Sequence, residues 1–412
     1  MAATFAVRTL GCKVNQCDAD ALCARLGEAG YVPVAFGPSH TADIYIVNTC
    51  TVTKTVDRKS LQMIRRARRM NPKAFVAVCG CGARLSGEMQ TLGEVDFVFD
   101  ARKPEDLLGA LGAWNALPSG TASPQPGKTR AFLKVQDGCD RFCAYCIVPY
   151  ARGGVVSTPT EEILGKAAAL VRGGTKEIVL TGIQLAAYGK DTQETLPGLI
   201  RRVAGIPSLG RLRLSSLDPW AVNADFLQAV GETQALCDHF HLSLQSGCDA
   251  TLMRMNRRYT TLDYARAVEG LRAIRPNAAI TTDIIVGFPG ETDADHAQSL
   301  AFARETRFAR IHVFPYSLRE GTAAAKMPHP VPAPLKKARN AQMLALAAQS
   351  KAQFLAAQVG RPAEILYETP HQGHTRNYCL VRTPQAAPVN TLATVHITGQ
   401  DNHMLKGEKC HD

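Results

Sequence analysis

Short apolar runs, each followed by a stretch of helical period, recur along most of the chain. Phe5–Leu10 reads as a strand. Residues 15–30 read as a helix closed by Gly30, in the position after a helix end where glycine is favoured. Ile44–Val47 and Phe75–Val78 read as buried strands. Between them Thr51–Met70 reads as a helix that stops before Asn71-Pro72, because the residue ahead of a proline avoids helical backbone. These elements predict a small α/β unit of about 115 residues.

Pro, Gly and Ser then crowd residues 118–127, the composition of a linker. Beyond it, strand patterns begin near Phe132, Glu177, Arg211, His239, Ala279 and Arg310. Helical patterns fill the gaps, as at Glu161–Val171, Leu262–Ile274 and Asp293–Thr306, and a last one runs over Leu335–Gln358. Six βα units predict a parallel, right-handed array curved like a (β/α) barrel, two units short of the closed form and so open on one side. After Val359 the pattern shortens to Ala363–Glu368, Tyr378–Arg382 and Thr394–Thr398, separated by turns rich in Gly, Pro and His, which predicts a small β-barrel. The expected organisation is α/β: a unit at 1–117, the linker, a half-barrel core at 128–358 and a β-barrel at 359–412.

Composition narrows the class. The chain has 412 residues, 46% apolar and 20% charged, which excludes a wholly disordered protein. Its net charge of +11 favours an anionic partner such as nucleic acid. The 13 cysteines are an odd number and cannot all pair. The first residues lack the apolar segment of a signal peptide, and no apolar run approaches the 18 residues of a membrane span. A reducing cytoplasm is therefore expected, where many cysteines point to metal or redox chemistry more than to disulfides.

Two cysteine groups stand out. Gly138-Cys139-Asp-Arg-Phe-Cys143-Ala-Tyr-Cys146 sets three thiols in one turn just after a predicted strand. Three thiolates can hold three irons of a 4Fe–4S cluster and leave the fourth open to a small molecule; a structural zinc turn with a distant fourth ligand is the alternative. Cys12, Cys50 and Cys81 each follow a predicted strand end, where ligands of open α/β sheets gather. Buried, inert thiols are the alternative there. Cys79 lies two residues before Cys81 and reads as sharing its strand face.

Further motifs follow in order: the run from Ala131 to Gly153, Leu180-Thr-Gly-Ile, His241-Leu-Ser-Leu-Gln-Ser-Gly247, Thr282–Thr292, Phe314-Pro-Tyr-Ser and Arg319-Glu-Gly-Thr-Ala323. Through them the chain resembles the radical S-adenosylmethionine (SAM) family over nearly its whole length, and within it the methylthiotransferases. The resemblance implies two 4Fe–4S clusters and SAM. Cys139, Cys143 and Cys146 would hold the SAM-cleaving cluster, and Cys12, Cys50 and Cys81 an auxiliary, sulfur-supplying one. The family ligand directly follows a glycine, which selects Cys81 and leaves Cys79 as a core thiol. The implied reaction inserts a methylthio group at an unactivated aromatic C–H, one SAM giving a radical and a second the methyl. An electron donor such as flavodoxin or ferredoxin is implied, and the N-terminal unit should cover the open mouth of the half-barrel. SAM contacts are expected at Tyr145, Thr181, Gly182, Ser216, Gln245, Val286, Gly287 and Phe314. The sequence departs from the family at Asp218, usually Glu, at Ser243, usually Pro, and at Val156 and Thr158, where arginines are usual. Cys17, Cys23, Cys237, Cys248, Cys379 and Cys410 match no ligand position and read as structural.

The segment Thr51–Met70 carries Lys54, Arg58, Lys59, Arg65, Arg66, Arg68 and Arg69 against one acid, Asp57. Arg58, Arg65 and Arg69 fall near one helix face, placed to grip phosphates beside Cys50; a merely solvated helix is the alternative. The C-terminal segment resembles a TRAM domain, an RNA-binding β-barrel, through Gly373-His-Thr-Arg-Asn-Tyr378. Its five Lys and Arg are balanced by five acids, so its grip on RNA would rest on Arg376 and Tyr378. The motifs around Cys12 and Cys50 most resemble the branch acting on N6-threonylcarbamoyladenosine (t6A) in tRNA, next to the anticodon. The rival readings are N6-isopentenyladenosine in tRNA, a ribosomal protein side chain, and a non-catalytic, metal-stabilised RNA-binding protein.

Overall fold

The computed structural model describes residues 3–114, 129–401 and 403–409; the expected linker and Cys410 lie outside them. In the N-terminal unit β1 (Thr4–Thr9), β2 (Val32–Pro33), β3 (Ile44–Thr49), β4 (Phe75–Cys79) and β5 (Phe97–Val98) form one sheet in the order β2-β1-β3-β4-β5, with every pairing parallel. Central β3 is buried at all six positions, as an apolar run in a parallel sheet should be. The edge strands β2 and β5 are two residues long and leave no readable period. Helix α1 (Lys13–Glu28) packs beside Phe5 and Ile44 through Leu22 and Leu26, and α2 (Lys54–Met70) covers the other face with Ile64 and Ala67. Helix α2 starts three residues later than its charge pattern suggests because Thr53 caps it, its Oγ1 accepting from the Val56 N–H at 3.3 Å.

One expectation fails locally. Helix α3 (Gly80–Leu85) begins immediately after β4, so Cys81 sits in its first turn and shares no strand face with Cys79. Cys79 is fully buried in the core with Phe5 and Ile46. Gly80 makes the change of direction with φ +89°; a Cβ there would come 2.3 Å from the Thr49 carbonyl.

The central unit contains β6 (Arg130–Asp137), β7 (Val156–Ser157), β8 (Glu177–Gly182), β9 (Arg211–Leu214), β10 (His239–His241), β11 (Ala279–Val286) and β12 (Arg310–Pro315). All but β7 correspond to the six expected strands, and their mutual pairings are parallel. The two sheets, β7-β6-β8-β9 and β10-β11-β12, meet through the Leu217 N–H donating to His241 O at 2.8 Å and the Ser243 N–H to Leu217 O at 2.9 Å. The result is a curved wall that runs from β7 to β12, and its outermost parallel strands, β6 and β12, do not pair with each other.

Its strands alternate. Leu212, Leu214, Phe240, Ile280, Ile284 and Ile311 face the outer helices and form the main core. Arg211, Arg213, His239, His241, Thr281, Asp283, Arg310 and His312 occupy the intervening positions, so the inner face is polar and charged. A parallel sheet with both faces dry would read as continuous apolar runs.

The long helix Ala333–Ala356 leads to a closed barrel in the order β13-β14-β15-β17-β16: β13 (Pro362–Thr369), β14 (Gln372–Thr375), β15 (Leu380–Arg382), β16 (Leu392–Gln400) and β17 (Leu405–Lys409). Tyr378, expected to start a strand, lies instead in the turn before β15 with φ +65°.

This barrel docks on the first residues of the core strands. Arg211 donates to Glu364 Oε1 at 3.0 and 2.9 Å and to the His374 carbonyl at 2.8 Å. Arg130 bridges Glu177, at 2.5 Å, and Glu368, at 2.8 Å.

Candidate active site

The loop after β6 holds Cys139, Cys143 and Cys146 in a backbone frame tied at both ends. The Cys139 N–H donates to the Gly153 carbonyl at 2.9 Å and the Ala144 N–H to the Met255 carbonyl at 2.9 Å. Gly138, φ +69°, admits the loop's close approach to its return strand; a Cβ there would fall 1.7 Å from Gly154 O. Arg257 reaches the Cys143 Sγ at 3.3 Å while pairing Asp218 and donating to the Ser243 carbonyl at 3.2 Å. Asp218, the shorter acid at a position where the family usually has Glu, thus still contacts Arg257, and it also accepts from Gln184.

Cys12, Cys50 and Cys81 follow the ends of β1, β3 and β4 and lie near enough to one another to interact electrostatically. Cys12 caps α1 and is exposed, whereas Cys50 and Cys81 are buried. Gly11 lets the first and second loops touch: a Cβ there would lie 2.9 Å from the Cys50 Sγ. Burial pushes the Cys50 thiol up to about 11 and the Cys146 thiol up to about 12; it raises Cys81 too, against the pull of Arg152. Such thiols keep their protons until a metal centre displaces them.

The donor sets fit iron–sulfur clusters. Each offers three soft sulfurs at the ends of strands or in the turn after one. Among the described residues, His241, Asp283 and His312 also bring three ligand atoms within 4.8 Å of one another.

Sequence reasoning missed the residue that joins the two sites. Arg152, in the short helix Val148–Arg152 after the cysteine loop, is buried. Its Nε donates to Cys81 Sγ at 3.2 Å, its Nη1 to both Asp137 oxygens at 2.9 and 3.0 Å, and its Nη2 to Asn15 Oδ1 and Asp18 Oδ2, each at 2.9 Å. Asp137 in turn accepts the Gly138 N–H at 2.7 Å, next to Cys139. Lys134 pairs with Asp18 from the same strand as Asp137. The available signal was a cluster of charges inside otherwise apolar elements. Across the mouth, Arg319 binds Thr51 and Asp57. The N-terminal unit therefore covers the ends of the core strands.

A cavity of about 540 Å³ occupies the inner face, lined by Lys13, Ser216, His241, Asp283, His312 and Phe314 and reaching the C-terminal barrel at Tyr378. Of the expected SAM contacts, Ser216 and Phe314 face this space, and Tyr145 packs edge-on against Phe288. Gln245 adopts φ +71° just beyond β10 and bridges to Ile284. Thr181 donates to the Val179 carbonyl, and Val286 is buried in the outer core. A Cβ on Gly182 would lie 2.7 Å from Gln136 Oε1, and the Gly287 N–H is held by Glu291 at 3.0 Å.

On α2, Arg58, Arg65 and Arg69 are all exposed, Arg65 with a loose 3.8 Å pair to Glu94. Arg376 and Tyr378, expected as RNA contacts, are half-buried at the seam between the barrel and the core. Arg376 donates to the carbonyls of Gln234 and Leu236, at 2.5 and 2.7 Å, and pins the barrel to the core. Tyr378 stacks on His374 with centroids 4.7 Å apart, and Arg130 and Arg213 lie 5.1 and 4.6 Å from its ring. Both are seam residues because their turn bends back toward the core strands.

Comparison with known proteins agrees with this geometry. The Radical SAM superfamily profile matches residues 133–303, and that of the Uncharacterized protein family UPF0004 matches residues 4–100. The threonylcarbamoyladenosine tRNA methylthiotransferase MtaB of Bacillus subtilis is 37% identical, covering 92% of this chain and 90% of its own. Its namesake in Thermotoga maritima is 39% identical, covering 82% and 80%. The tRNA-2-methylthio-N(6)-dimethylallyladenosine synthase of Cereibacter sphaeroides is 36% identical, covering 98% of each. Among solved structures, the radical SAM methyltransferase TsrM of Kitasatospora setae, with tryptophan and a SAM analog bound, superposes with a TM-score of 0.58 at 12% identity, covering 76% of this chain and 73% of its own. That likeness speaks for the fold alone. The similarity along nearly the whole chain makes this chain a member of the radical SAM tRNA methylthiotransferase family.

Proposed function

We propose that the protein transfers a methylthio group to C2 of t6A in tRNA, using SAM and two 4Fe–4S clusters. Cys139, Cys143 and Cys146 would hold one cluster and Cys12, Cys50 and Cys81 the other. When bound, these groups supply the electron that cleaves SAM and the sulfur that is transferred. The observation behind the two-centre reading is the Arg152 bridge, which links Cys81 to the loop of Cys139 through Asp137. The roles of the chain's own residues follow. Arg152 and Arg257 each offer an N–H to a ligand sulfur. Arg319, Lys134 and Arg152 hold the N-terminal unit over the core strands and shield the space between from water. The division at 1–117, 128–358 and 359–412 assigns auxiliary site, SAM site and RNA-facing barrel. Among the described residues no helix is long and apolar enough to cross a membrane. A small electron carrier of the flavodoxin or ferredoxin type would reduce the core site, and the cytoplasm would house the reaction.

Anaerobic reconstitution tests this. Cys→Ala at 139, 143 or 146 should abolish release of 5′-deoxyadenosine from SAM. Cys→Ala at 12, 50 or 81 should leave that release intact and abolish methylthiolation of tRNA. Retained methylthiolation in the second set would refute the two-centre assignment. Mass spectrometry of tRNA nucleosides from a strain lacking the gene should show t6A in place of its 2-methylthio derivative.

A further inference from the structure

The inner cavity contains more positive charge than the cluster sites call for. Its lining includes Lys13, Arg310 and Lys351 against one carboxylate, Asp283, together with five histidines. Asp283 is engaged by His241 Nε2 at 3.2 Å, on the strand next to its own. Lys13 has no such partner: among the described residues no ion pair or hydrogen bond is formed by its Nζ, which stands 5.8 Å from the centroid of the Phe132 ring. It lies deep in the fold, near Arg130, Arg213 and Glu177, yet its surface is exposed, because it faces the cavity. Lys134, by contrast, is spent on Asp18 and Asp137.

The place of Lys13 is informative. It follows Cys12 directly as the first residue of α1, so its side chain enters the cavity from beside the auxiliary site. In a purine, C2 and the N6 substituent share one edge. Whatever hangs on N6 must therefore be housed close to the reacting carbon. The threonylcarbamoyl group ends in a carboxylate and carries hydroxyl and N–H donors. An isopentenyl group carries none of these. An unpaired ammonium that shares a cavity with a hydrogen-bond acceptor, Asp283, and with imidazoles suits the first and is left unsatisfied by the second. The same cations disfavour a metal ion at His241, Asp283 and His312, although those ligand atoms lie within 4.8 Å of one another.

Resting on the t6A reading above, we propose that this cavity receives the threonylcarbamoyl group and that the Lys13 ammonium pairs its carboxylate. Lys13 then determines which N6-modified adenosine the enzyme accepts.

The test is a binding measurement with the reconstituted full-length protein, by fluorescence anisotropy under anaerobic conditions. Three anticodon stem-loop RNAs are compared, carrying t6A, t6A with its carboxylate converted to the primary amide, or unmodified adenosine. The acid should bind about 10- to 100-fold more tightly than the amide, the range of a charge-assisted hydrogen bond. In Lys13→Met that preference should fall to about threefold or less. Equal binding of acid and amide by the wild-type protein overturns the proposal without recourse to any variant. So does an undiminished preference in Lys13→Met. If the enzyme methylthiolates isopentenyladenosine RNA and leaves t6A RNA untouched, the substrate reading itself fails. Equal binding of acid and amide with t6A still methylthiolated removes the Lys13 pairing alone.

Discussion

The six cysteines proposed as cluster ligands were legible because motif spacing and strand ends both mark them. Arg152 was not, because a single arginine in Val148–Arg152 carries no period and no motif of its own. Its role exists only where Asp18, Asn15, Cys81 and Asp137 meet, from three separate segments. A planar guanidinium with five donors can serve them together; an ammonium cannot. Replacing it leaves Asp18 and Asp137 buried with Lys134 as their shared partner. Arg152→Met should therefore destabilise the protein by about 3 kcal/mol, read from urea unfolding. Arg152→Lys should recover less than half of that loss. Full recovery by lysine would show that charge alone suffices. Hydrogen exchange should quicken in α1 in both variants, since α1 carries Asn15 and Asp18.

At the scale of elements, period and caps placed the six core strands within a few residues, and length decided what escaped. The two-residue strands β2, β5 and β7 are too short to show alternation. The alternation of β9, β10 and β12 is present in the sequence as Arg211-Leu-Arg213, His239-Phe-His241 and Arg310-Ile-His312, but its polar face became evident only in the fold. That face also supplies the seam with the C-terminal barrel. Glu177, fully buried, accepts from Arg130 at 2.5 Å and from Arg213 at 2.8 and 3.1 Å. Burial alone pushes its carboxyl up, but hydrogen bonds from Arg213 and the charges of Arg213 and Arg130 outweigh burial and hold it at about 2. A carboxylate depressed in the folded state stabilises above its unfolded pKa and loses that contribution as pH falls. The seam should thus be fully supported above about pH 4.5 and lose about 3 kcal/mol between there and about pH 2. Glu177→Gln leaves Arg130, Arg211 and Arg213 facing each other without a buried counter-charge. It should cost about 3–5 kcal/mol at pH 7 and flatten this acid limb. Urea titrations at pH 7, 4 and 3 measure both effects; an unchanged acid limb in the variant would assign the pH dependence to other carboxylates.

For the whole molecule, the decisive arrangement is that two units approach the half-barrel from opposite ends. The N-terminal unit meets the strand ends through Arg152, Lys134 and Arg319, and the β-barrel meets the strand beginnings through Arg130, Arg211 and Arg376. Several arginines are consumed in these seams, so net charge is a poor guide to where RNA binds. Arg376 illustrates the point, being bound to core carbonyls. Arg68 on α2 is likewise spent, on Asp96 at 2.6 Å and the Ala74 carbonyl at 2.8 Å. Arg58, Arg65 and Arg69 remain exposed on α2, the helix that follows Cys50. If they hold phosphates, each should contribute close to one unit to the dependence of log affinity on log salt. Replacing all three with glutamine should reduce that slope by about 2–3 and weaken tRNA binding by about 10- to 100-fold near 0.1 M salt. The t6A-over-amide preference assigned to Lys13 should survive, because phosphate contacts position the RNA and the cavity reads the base. Loss of affinity with an unchanged salt slope would mean that α2 supports the fold and that phosphates are held elsewhere on the molecule.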